Sequence, residues 1–386
     1  MKFRIPKLSS FVYYFKFYLN TFKFKIKQFQ ERIIIYKWIN SINVNNNQVL
    51  IGANVSWPNG VDFHIHAISK YSELKTELIP SDSILNLINT HNFKNEYLDK
   101  IQITSKSVIH SHVYPWFIEW CAKQKTNNHT IKWIHTYHAH YSPEYSHGEF
   151  LDWQQEFNRV FIEVASKADV KISVSKWQQK IYMETFNIDT IYIPNGVNVV
   201  QCDAANAEVF IKKHGIKDFI LNVSRHDPVK NPREFVQLAI VMPEKNFVII
   251  GSSLTRELFI EEYDVTPPEN LTILGAMSQA EVQNAIAACT VLVSTAKREG
   301  LPTLVLEGMA HKKPVVVSNE PGSMEAIDNG NYGYYYELGN LEDLKSKTLE
   351  ALNDSTIGLK ARQRVLEEYD WRVVIKQVDQ IYSELL

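Results

Sequence analysis

Short runs of apolar residues recur along most of the chain, and each is followed by a polar loop and a longer segment of mixed polarity. Runs of this length are typical of strands that are buried on both faces of a parallel sheet. The segments between them have the spacing of helices that pack on such a sheet. The alternation therefore predicts an α/β fold with doubly wound parallel sheets. The predicted strands include residues 49–52, 107–112, 170–175, 219–224, 246–251, 271–275, 291–294 and 314–317.

The length of the chain, 386 residues, exceeds what one hydrophobic core usually organises, so we expect two domains. A polar stretch at residues 43–48, NVNNNQ, precedes the first predicted strand and is interpreted as a linker. A Pro-Asn-Gly turn at residues 194–196 places the boundary between the domains near residue 200. The predicted segments are an N-terminal extension (1–45), a first domain (46–200), a second domain (201–365) and a closing helix (366–386).

The first 40 residues differ from the rest of the chain in both charge and aromatic content. Residues 1–38 carry nine Lys or Arg residues and a single acid, Glu31, so their net charge is +8, which leaves −10 for the remainder because the whole chain has −2. Aromatic residues interspersed with lysines suit an anionic membrane surface, where each basic residue contributes about 1 kcal/mol. A helix whose aromatic face packs on the protein while its lysines point to solvent is an equally good interpretation. The two interpretations are compatible, and both stay open.

The overall composition excludes several classes of protein. A net charge of −2 argues against a nucleic-acid partner. The three cysteines, Cys121, Cys202 and Cys289, have no metal-binding or redox spacing and suit a reducing compartment. We expect no signal peptide and no spanning helix, because the N-terminus lacks an uncharged apolar core and no stretch of about 20 apolar residues occurs. These features predict a cytoplasmic protein. Because of the basic N-terminal segment, peripheral association with the inner face of the membrane is an alternative.

Candidate chemistry is concentrated between Val291 and Ala326, where the pattern predicts a strand, a loop, a helix and a second strand. Glu299 lies in the loop, at the carboxyl end of a strand, and open α/β sheets bind ligands at that end. Glu307 lies on the helix among apolar residues, where a carboxylate needs a partner such as a sugar or ribose hydroxyl. The alternative is that Glu299 is a surface residue and that Glu307 caps or salt-bridges its own helix.

The start of the same helix is a candidate site for an anion. Backbone N–H groups at a helix N-terminus point outward and bind phosphate groups well. Pro302 suits the first turn of the helix, where a missing N–H costs nothing. The N–H groups that the sequence places around this terminus belong to Gly300, Leu301 and Thr303.

The stretch EGLPTLVLEGMA, which begins at Glu299, resembles the E-x7-E signature of retaining glycosyltransferases with the GT-B fold, family 4 in particular. Gly308 replaces the alanine that is usual in the family. The runs PVVVS at 314–318 and GSME at 322–325 also match family motifs, and the resemblance covers most of residues 48–386. It implies two Rossmann-like, doubly wound domains that face a central cleft, with a C-terminal helix that crosses back to the first domain.

A second motif bears on the binding of a diphosphate. Residues 224–231, SRHDPVKN, resemble the family pattern G-R-L-x-x-x-K-G/N, with Ser224 for Gly and His226 for Leu. Arg225 would donate paired hydrogen bonds to phosphate oxygens, and Lys230 would add a point charge. Together they would neutralise a diphosphate without a metal. The alternative is that both residues are solvated surface cations.

Three histidines, His135, His138 and His140, lie within six positions of the segment WIHTYHAH. A metal site is one interpretation, but these side chains would alternate along a strand or leave it, and no carboxylate or cysteine pattern accompanies them. We therefore expect no metal at this segment. The segment resembles the family motif V-x-T-x-H, and this resemblance implies that His138 faces the donor sugar in the cleft.

Two glycines complete the predicted donor site. Gly60 follows the first predicted strand, where family members often carry Gly-Gly and where the backbone approaches a phosphate closely. Gly275 ends the predicted strand at 271–275, and in the family the end of this strand lies near the nucleotide base. The turn IPNGVN at 193–198 matches the family's I-P-N-G-V-D, with Asn198 for Asp.

The resemblance implies transfer of a sugar from a nucleotide-sugar donor with retention of configuration. For the acceptor, the basic aromatic N-terminal segment motivates the hypothesis of a bacterial surface polysaccharide or lipid-linked glycan. A UDP-sugar is the favoured donor, and GDP-mannose is the alternative. The chain has no D-x-D motif, which argues against a metal-dependent GT-A enzyme, and we expect neither a cofactor nor a metal. The predicted catalytic residues are Glu299, His138, Arg225 and Lys230, and the predicted donor-binding residues are Gly60, Arg225, Lys230, Gly275, Glu299, Gly300, Leu301, Pro302, Thr303 and Glu307.

Other functions stay open at this point. A nucleotide-sugar 2-epimerase of the same fold would consume donor without an acceptor, and a phosphorylase would depend on inorganic phosphate. A non-catalytic, membrane-associated partner of another transferase would tolerate mutation of Glu299 or Lys230. The presence of both of these residues together with Arg225 and Glu307 disfavours the last alternative.

Overall fold

The structure is a computed structural model that describes residues 8–44, 47–53, 60–103, 107–138, 140–141 and 151–386, with side chains from residue 23 onward. Within these residues, two parallel six-stranded sheets are present, one in each half of the chain. Helices connect consecutive strands in both halves. The predicted fold class, two doubly wound α/β domains, is confirmed.

The first domain is built around one parallel sheet. Its strands are β1 (Gln48–Gly52), β2 (Thr76–Ile79), β3 (Ser107–Ser111), β4 (Lys132–Tyr137), β5 (Val170–Ser173) and β6 (Ile191–Tyr192). They pair in the order β2-β1-β3-β4-β5-β6. The helices of this half are α1 (Leu8–Asn43), α2 (Gly60–Tyr71), α3 (Asp82–Leu85), α4 (Thr90–Glu96), α5 (Pro115–Asn127), α6 (Asp152–Arg159) and α7 (Lys176–Phe186). Every residue of β1 and β3 is buried, as continuous apolar runs predict.

The second domain repeats this architecture. Its strands are β7 (Phe219–Val223), β8 (Asn246–Ile250), β9 (Leu271–Leu274), β10 (Val291–Ser294), β11 (Val315–Ser318) and β12 (Tyr334–Tyr336). They pair in the order β12-β11-β10-β7-β8-β9. The helices of this half are α8 (Val199–Asp203), α9 (Ala207–His214), α10 (Pro232–Val241), α11 (Arg256–Glu261), α12 (Gln279–Ala288), α13 (Thr303–Ala310), α14 (Pro321–Ala326), α15 (Leu341–Asn353), α16 (Ile357–Arg364) and α17 (Trp371–Leu385).

Alternation along the strands divides the core of the second domain into two layers. On β11, Val315 and Val317 pack in one apolar cluster, whereas Val316 packs in the other. This is the period-2 pattern of a strand that helices cover on both faces. Since β10 pairs in parallel with β7, the carboxyl ends of these two strands lie side by side. The loops that follow them are thereby brought together.

The chain passes between the domains twice, and the two crossings are bonded to each other. The amide of Val197 donates to the carbonyl of Tyr369 (2.7 Å), and the amide of Trp371 donates to the carbonyl of Val197 (3.1 Å). At Gly196, a Cβ would lie 2.5 Å from a ring atom of Trp371, so only glycine fits there. After the second crossing, α17 buries its apolar face in the core of the first domain, through Trp371, Val374, Ile375, Val378 and Tyr382.

Among the side chains of the long helix α1 that the structure describes, those near its C-terminal end pack on the first domain. Ile35, Ile39 and Ile42 are buried in the core of that domain. Upstream, Phe24 and Phe29 keep 59% and 65% of their surface exposed. The interpretation as a helix packed on the protein therefore holds for the three isoleucines and not for these two aromatic residues. None of the described helices combines the length and the apolarity that crossing a bilayer requires.

Candidate active site

The two domains enclose a cleft of about 890 Å³ at the carboxyl ends of both sheets. Its walls include segments that follow β1, β4, β7 and β10, which is where parallel sheets present their ligand-binding loops. Gly275 and Glu307 are not among the lining residues. The predicted site residues that line the cleft are Gly60, His138, Arg225, Lys230, Glu299, Gly300, Leu301, Pro302 and Thr303.

Lys230 and Glu299 form an ion pair inside the cleft, between the loops that follow β7 and β10. The two side chains keep only 27% and 18% of their surface exposed, so solvent screens the pair poorly. The amide of Lys297 donates to the carbonyl of Val229 (2.7 Å), which ties the two loops together. An ammonium group and a carboxylate are thereby fixed at one point of the cleft, where a polar ligand could contact both.

Arg225 lies in the same loop as Lys230 and is oriented by a nearby carboxylate. Its guanidinium donates to Asp227 through Nη2 (2.7 Å) and Nε (3.0 Å), and its side chain keeps 59% of its surface exposed. Asp227 also accepts the amide of Val229 at 2.9 Å, which fixes the turn. The guanidinium is therefore held in place by its own loop while it remains accessible from the cleft.

The loop after β10 also contacts the first domain directly. The indole Nε1 of Trp177 donates to the carbonyl of Gly300 (2.6 Å), and Nδ2 of Asn195 donates to the carbonyl of Leu301 (2.9 Å). A Cβ on Gly300 would lie 2.4 Å from the carbonyl oxygen of His138, a backbone atom that cannot turn aside. This glycine therefore allows the loop of the second domain to meet the end of β4 in the first.

A second contact between the domains caps helix α7. The carboxylate of Glu325, on α14, accepts the amides of Lys176 (2.8 Å) and Trp177 (3.0 Å). A carboxylate at a helix N-terminus satisfies unpaired N–H groups and interacts favourably with the helix dipole. The last residue of the GSME run thus joins the two domains beside the cleft.

Glu320, a residue that no sequence pattern had indicated, fixes the loop at Glu299 by accepting a hydrogen bond from its backbone amide. It is 4% exposed, and its carboxylate accepts the amides of Glu299 (3.1 Å), Gly322 (2.9 Å) and Ser323 (2.5 Å). Burial raises the pKa of Glu320 to about 7, against the opposing effect of the hydrogen bond with Ser323. An acid just before the Pro321 that opens a helix is a capping signal. The contact with Glu299 joins two separate loops, so no local pattern could have shown it.

We expect Glu320→Gln to change how stability depends on pH. The folded-state pKa of about 7 lies above the ordinary value, which is about 4.3 in an unfolded chain. A group with a raised folded pKa contributes stability that is present below the unfolded pKa and is lost as pH rises through the folded pKa. In urea unfolding, the wild type should therefore lose about 2–4 kcal/mol relative to the variant between about pH 4 and pH 8.

The control for this experiment is Glu342→Gln, at an exposed position in the first turn of α15. Its stability should stay within about 0.5 kcal/mol of the wild type over the same range of pH, because exposed surface substitutions usually change stability by no more than that. A constant difference for Glu320→Gln as well would contradict the raised pKa of Glu320.

Glu307 and Gly275 lie apart from the cleft lining. Glu307, on α13, accepts a hydrogen bond from Nε2 of Gln279 on α12 (2.9 Å), and burial raises its pKa to about 7. Gly275 follows β9 and has open space where a Cβ would be. The sequence placed Glu307 correctly on a helix but could not reveal its partner on a different helix. The donor-binding roles of both residues stay predictions.

The three histidines of the WIHTYHAH segment do not converge on one point. His138 lines the cleft, and its Nε2 lies 3.1 Å from Nδ1 of His112. His135 is buried in the first domain, and Nε2 of His140 lies 3.3 Å from Nη2 of Arg298. Burial lowers the pKa of His138 well below its ordinary value, so that its imidazole is neutral.

Aromatic side chains contributed by the first domain also line the cleft, a feature that the sequence analysis missed. The Tyr141 ring lies 5.0 Å from the rings of both Trp153 and Phe157, measured between centroids. Trp153, on α6, keeps 55% of its surface exposed. Asn158 fixes Tyr141 by accepting its amide (2.9 Å) and donating to its carbonyl (2.6 Å). The cleft therefore has a charged wall from the second domain and an aromatic wall from the first.

Profiles of two protein families match this chain, one in each half. The profile described as Glycosyltransferase Family 4 matches residues 86–201. The profile described as Glycosyl transferases group 1 matches residues 206–369, which include the E-x7-E loop and the loop with Arg225 and Lys230. The two matches therefore follow one another along most of the described chain.

Curated proteins of similar sequence include an uncharacterized glycosyltransferase of Methanocaldococcus jannaschii, which is 28% identical over 235 residues, or 59% of this chain and 63% of that protein. The N,N'-diacetylbacillosaminyl-diphospho-undecaprenol alpha-1,3-N-acetylgalactosaminyltransferase of Campylobacter jejuni is 25% identical over 193 residues, or 48% of this chain and 50% of that protein. The matched region thus spans between half and two thirds of the length of these relatives.

Solved structures of similar fold include Anabaena HepE in complex with UDP and glucose, with a TM-score of 0.71 and 17% identity over 87% of this chain and 99% of that one. Sucrose-phosphate synthase from Thermosynechococcus elongatus has a TM-score of 0.69 and 16% identity over 88% of this chain and 99% of that one. Identities this low show the fold alone. Since the two family profiles account for both domains of that fold, the chain belongs to the GT-B glycosyltransferases of the family 4 type.

Proposed function

We propose that the protein transfers a sugar from a nucleotide-sugar donor to a glycan or lipid-linked acceptor, with retention of the anomeric configuration and without a metal. A UDP-sugar is the favoured donor, with GDP-mannose as the alternative, and the product belongs to surface polysaccharide or lipid-linked glycan biosynthesis. The observation that carries the proposal is the ion pair of Lys230 and Glu299, next to the N-terminus of α13 in a cleft between two domains. HepE bound to UDP-glucose and the Campylobacter transferase support these classes of donor and acceptor.

The positive charges in the cleft suit a diphosphate leaving group. Transfer breaks the bond between the anomeric carbon and a phosphate oxygen, and negative charge develops on the diphosphate. Lys230 and Arg225 would stabilise that charge, and preorganised charge of this kind is often the largest contribution to catalysis. Lys230 would exchange its contact with Glu299 for a phosphate oxygen. The carboxylate of Glu299 would then accept hydrogen bonds from hydroxyls of the donor sugar.

Retention follows the mechanism that the family resemblance implies. The acceptor hydroxyl attacks on the face that the leaving group vacates, and its proton passes to the departing phosphate oxygen, so no separate base is needed. His138 would contact the sugar from the first domain as a neutral imidazole, because burial lowers its pKa. Glu307 would bind the ribose hydroxyls, and the amides around Gly300 and Thr303 would assist at the phosphate.

The acceptor would enter along the first-domain wall of the cleft. The exposed ring of Trp153, packed against Tyr141, offers a flat apolar surface for the less polar face of a sugar ring. Arg298 stacks on Trp177, with its guanidinium carbon 5.0 Å from the ring centroid. A guanidinium held in this way can bind the phosphate of a lipid-linked acceptor.

Membrane association is part of the proposal, and α1 supports it. Phe24 and Phe29 are exposed among Lys23, Lys25 and Lys27, a combination that suits the inner, anionic face of a membrane. We expect the double variant Phe24→Ser/Phe29→Ser to bind vesicles with an anionic lipid at least tenfold more weakly in cosedimentation. Each buried Phe would contribute about 1.5–3 kcal/mol.

The matched control for vesicle binding is Met183→Ser/Leu359→Ser. These two residues are similarly exposed, at 50% and 60%, but they lie outside α1. The control variant should bind vesicles as the wild type does. Equal binding by the wild type and by the α1 variant would contradict a membrane role for this helix and would leave the proposed transfer reaction untouched.

The proposed donor site is tested by thermal unfolding with UDP, GDP, ADP and their common sugars, in the presence of EDTA. One nucleotide should raise the melting temperature, since a ligand at 100 times its Kd stabilises a protein by about 2.7 kcal/mol. Lys230→Ala should abolish the rise, because it removes the charge that faces the diphosphate. No shift with any nucleotide, or a shift that Lys230→Ala leaves intact, would contradict the proposed donor site.

A further inference from the structure

Three buried histidines from three different elements meet next to the cleft. They are His64 on α2, His112 just after β3 and His138 just after β4. One ring nitrogen from each lies within 4.8 Å of the other two, and Nδ1 of His112 is 3.1 Å from Nε2 of His138. In the part of the chain that the structure describes, no other set of His, Cys, Asp or Glu side chains comes together in this way. This group is called the histidine cluster, and it shares only His138 with the three histidines of the WIHTYHAH segment.

The cluster contains polar atoms whose hydrogen-bonding capacity is not used. Nδ1 of His64 and Nε2 of His112 are buried and have no hydrogen-bond partner among the described atoms. His64 is 6% exposed and His112 is fully buried. Leaving a buried polar group unpaired is unfavourable for folding. A group that satisfies these nitrogens would therefore stabilise the first domain.

The three side chains suit a cation by their chemistry. An imidazole binds a transition metal through one ring nitrogen, and three imidazoles that meet at one point are a known ligand set for Zn²⁺.

We propose that His64, His112 and His138 bind one divalent transition-metal ion of the class that prefers imidazole ligands, such as Zn²⁺ or Co²⁺. Bonds of about 2.0–2.1 Å to three imidazoles place their nitrogens about 3.4 Å apart, so ring shifts of about 1 Å complete the site. His138 lines the cleft, so the remaining coordination position is open to a ligand from that side. Mg²⁺ and Ca²⁺, which take oxygen ligands, do not fit.

Occupation of the cluster has a consequence that rests on the proposed function. His138 is the residue that would contact the donor sugar from the first domain. An ion that draws its ring towards His64 and His112 removes that contact. Bound Zn²⁺ therefore inhibits the transfer reaction, which itself needs no metal.

The direct test is a titration of the EDTA-stripped, tag-free protein with Co²⁺, followed by the visible absorption that Co²⁺ shows in sites of low coordination number. One equivalent should give the absorption, a stoichiometric amount of Zn²⁺ should remove it, and excess Mg²⁺ should leave it unchanged. His64→Gln and His112→Gln should each weaken Co²⁺ binding at least tenfold. Absence of the absorption, or unchanged affinity in both folded variants, would overturn the proposed site.

The matched control is His135→Gln. His135 is also buried in the first domain, but its Nδ1 lies 2.8 Å from the Ser111 hydroxyl and it is not part of the cluster. This variant should bind Co²⁺ as the wild type does, whereas loss of binding there would show that the effect of His64→Gln reflects general damage to the domain. Circular dichroism excludes unfolded variants from the comparison.

The proposed metal site and the proposed function can be refuted independently of each other. Nucleotide binding is measured in EDTA, and Co²⁺ binding is measured without nucleotide. Co²⁺ absorption that depends on His64, without any nucleotide shift, would keep the metal site and overturn the proposed donor site. A nucleotide shift without Co²⁺ absorption would overturn the metal site alone.

Discussion

Replacing Lys230 by methionine should lower kcat for sugar transfer by about 100- to 1000-fold, the size of effect seen when one preorganised charge-stabilising group is lost. Lys230 lies in the cleft between loops from β7 and β10, and its ammonium group is only partly exposed to solvent. Methionine keeps most of the length of the side chain and removes the terminal ammonium group, whose charge would stabilise the leaving diphosphate. The measurement is the steady-state rate with a donor identified by thermal unfolding.

The control for this variant is Lys347→Met. Lys347 also pairs with a glutamate, Glu350, but it does so on the surface of α15, away from the cleft. Its loss should change kcat less than twofold. A Lys230→Met protein with the rate of the wild type would show that the charge has no part in the transfer, and the donor-site proposal would have to be abandoned.

Gly300→Val should lower kcat/KM for the donor by about 100-fold, because misplacement of catalytic groups by about 1 Å can cost that much. A Cβ at this position would lie 2.4 Å from the carbonyl oxygen of His138 and 3.2 Å from Nε2 of Gln178. The loop must therefore move away from the first domain, which breaks the bond from Trp177 to the Gly300 carbonyl. Glu299, the adjacent residue, would shift with the loop.

Ala204→Val provides the control for the valine substitution. Ala204 follows α8 in the second domain and is exposed, so the added methyl groups meet solvent. The two variants should have similar far-UV circular dichroism, since each domain has its own sheet and core. Full activity in a folded Gly300→Val protein would show that the contact between Gly300 and the end of β4 does not occur in the active state.

The sequence could reveal those parts of the site in which one short segment contains both the functional side chains and the strand and helix that position them. Glu299 and the start of α13 are a few residues apart, and a strand followed by a loop and a helix fixes their relative placement. The same holds for Arg225 and Lys230, whose loop directly follows a buried strand. In each case the local chain geometry carries the functional groups to the same edge of the sheet.

The parts that a sequence could not reveal depend on contacts between distant segments. Glu320 reaches Glu299 across 21 positions, and the ring of Trp153 meets Tyr141 only because α6 packs beside the end of β4. His64 is 48 positions before His112 and 74 before His138, so no spacing rule would group these three. Tertiary packing decides these neighbours, and a single sequence carries no local signal for it.

The placement of α17 has a consequence for synthesis on the ribosome. This helix completes the core of the first domain, yet it follows the second domain in the chain. At about 5–20 residues per second, the roughly 180 residues between β6 and α17 take about 10–40 s to translate. During this time the nascent first domain presents an uncovered apolar groove, while the second domain is still being made. The half of the protein that is made first therefore stays incomplete until the end of translation, and its exposed groove is where a chaperone would bind.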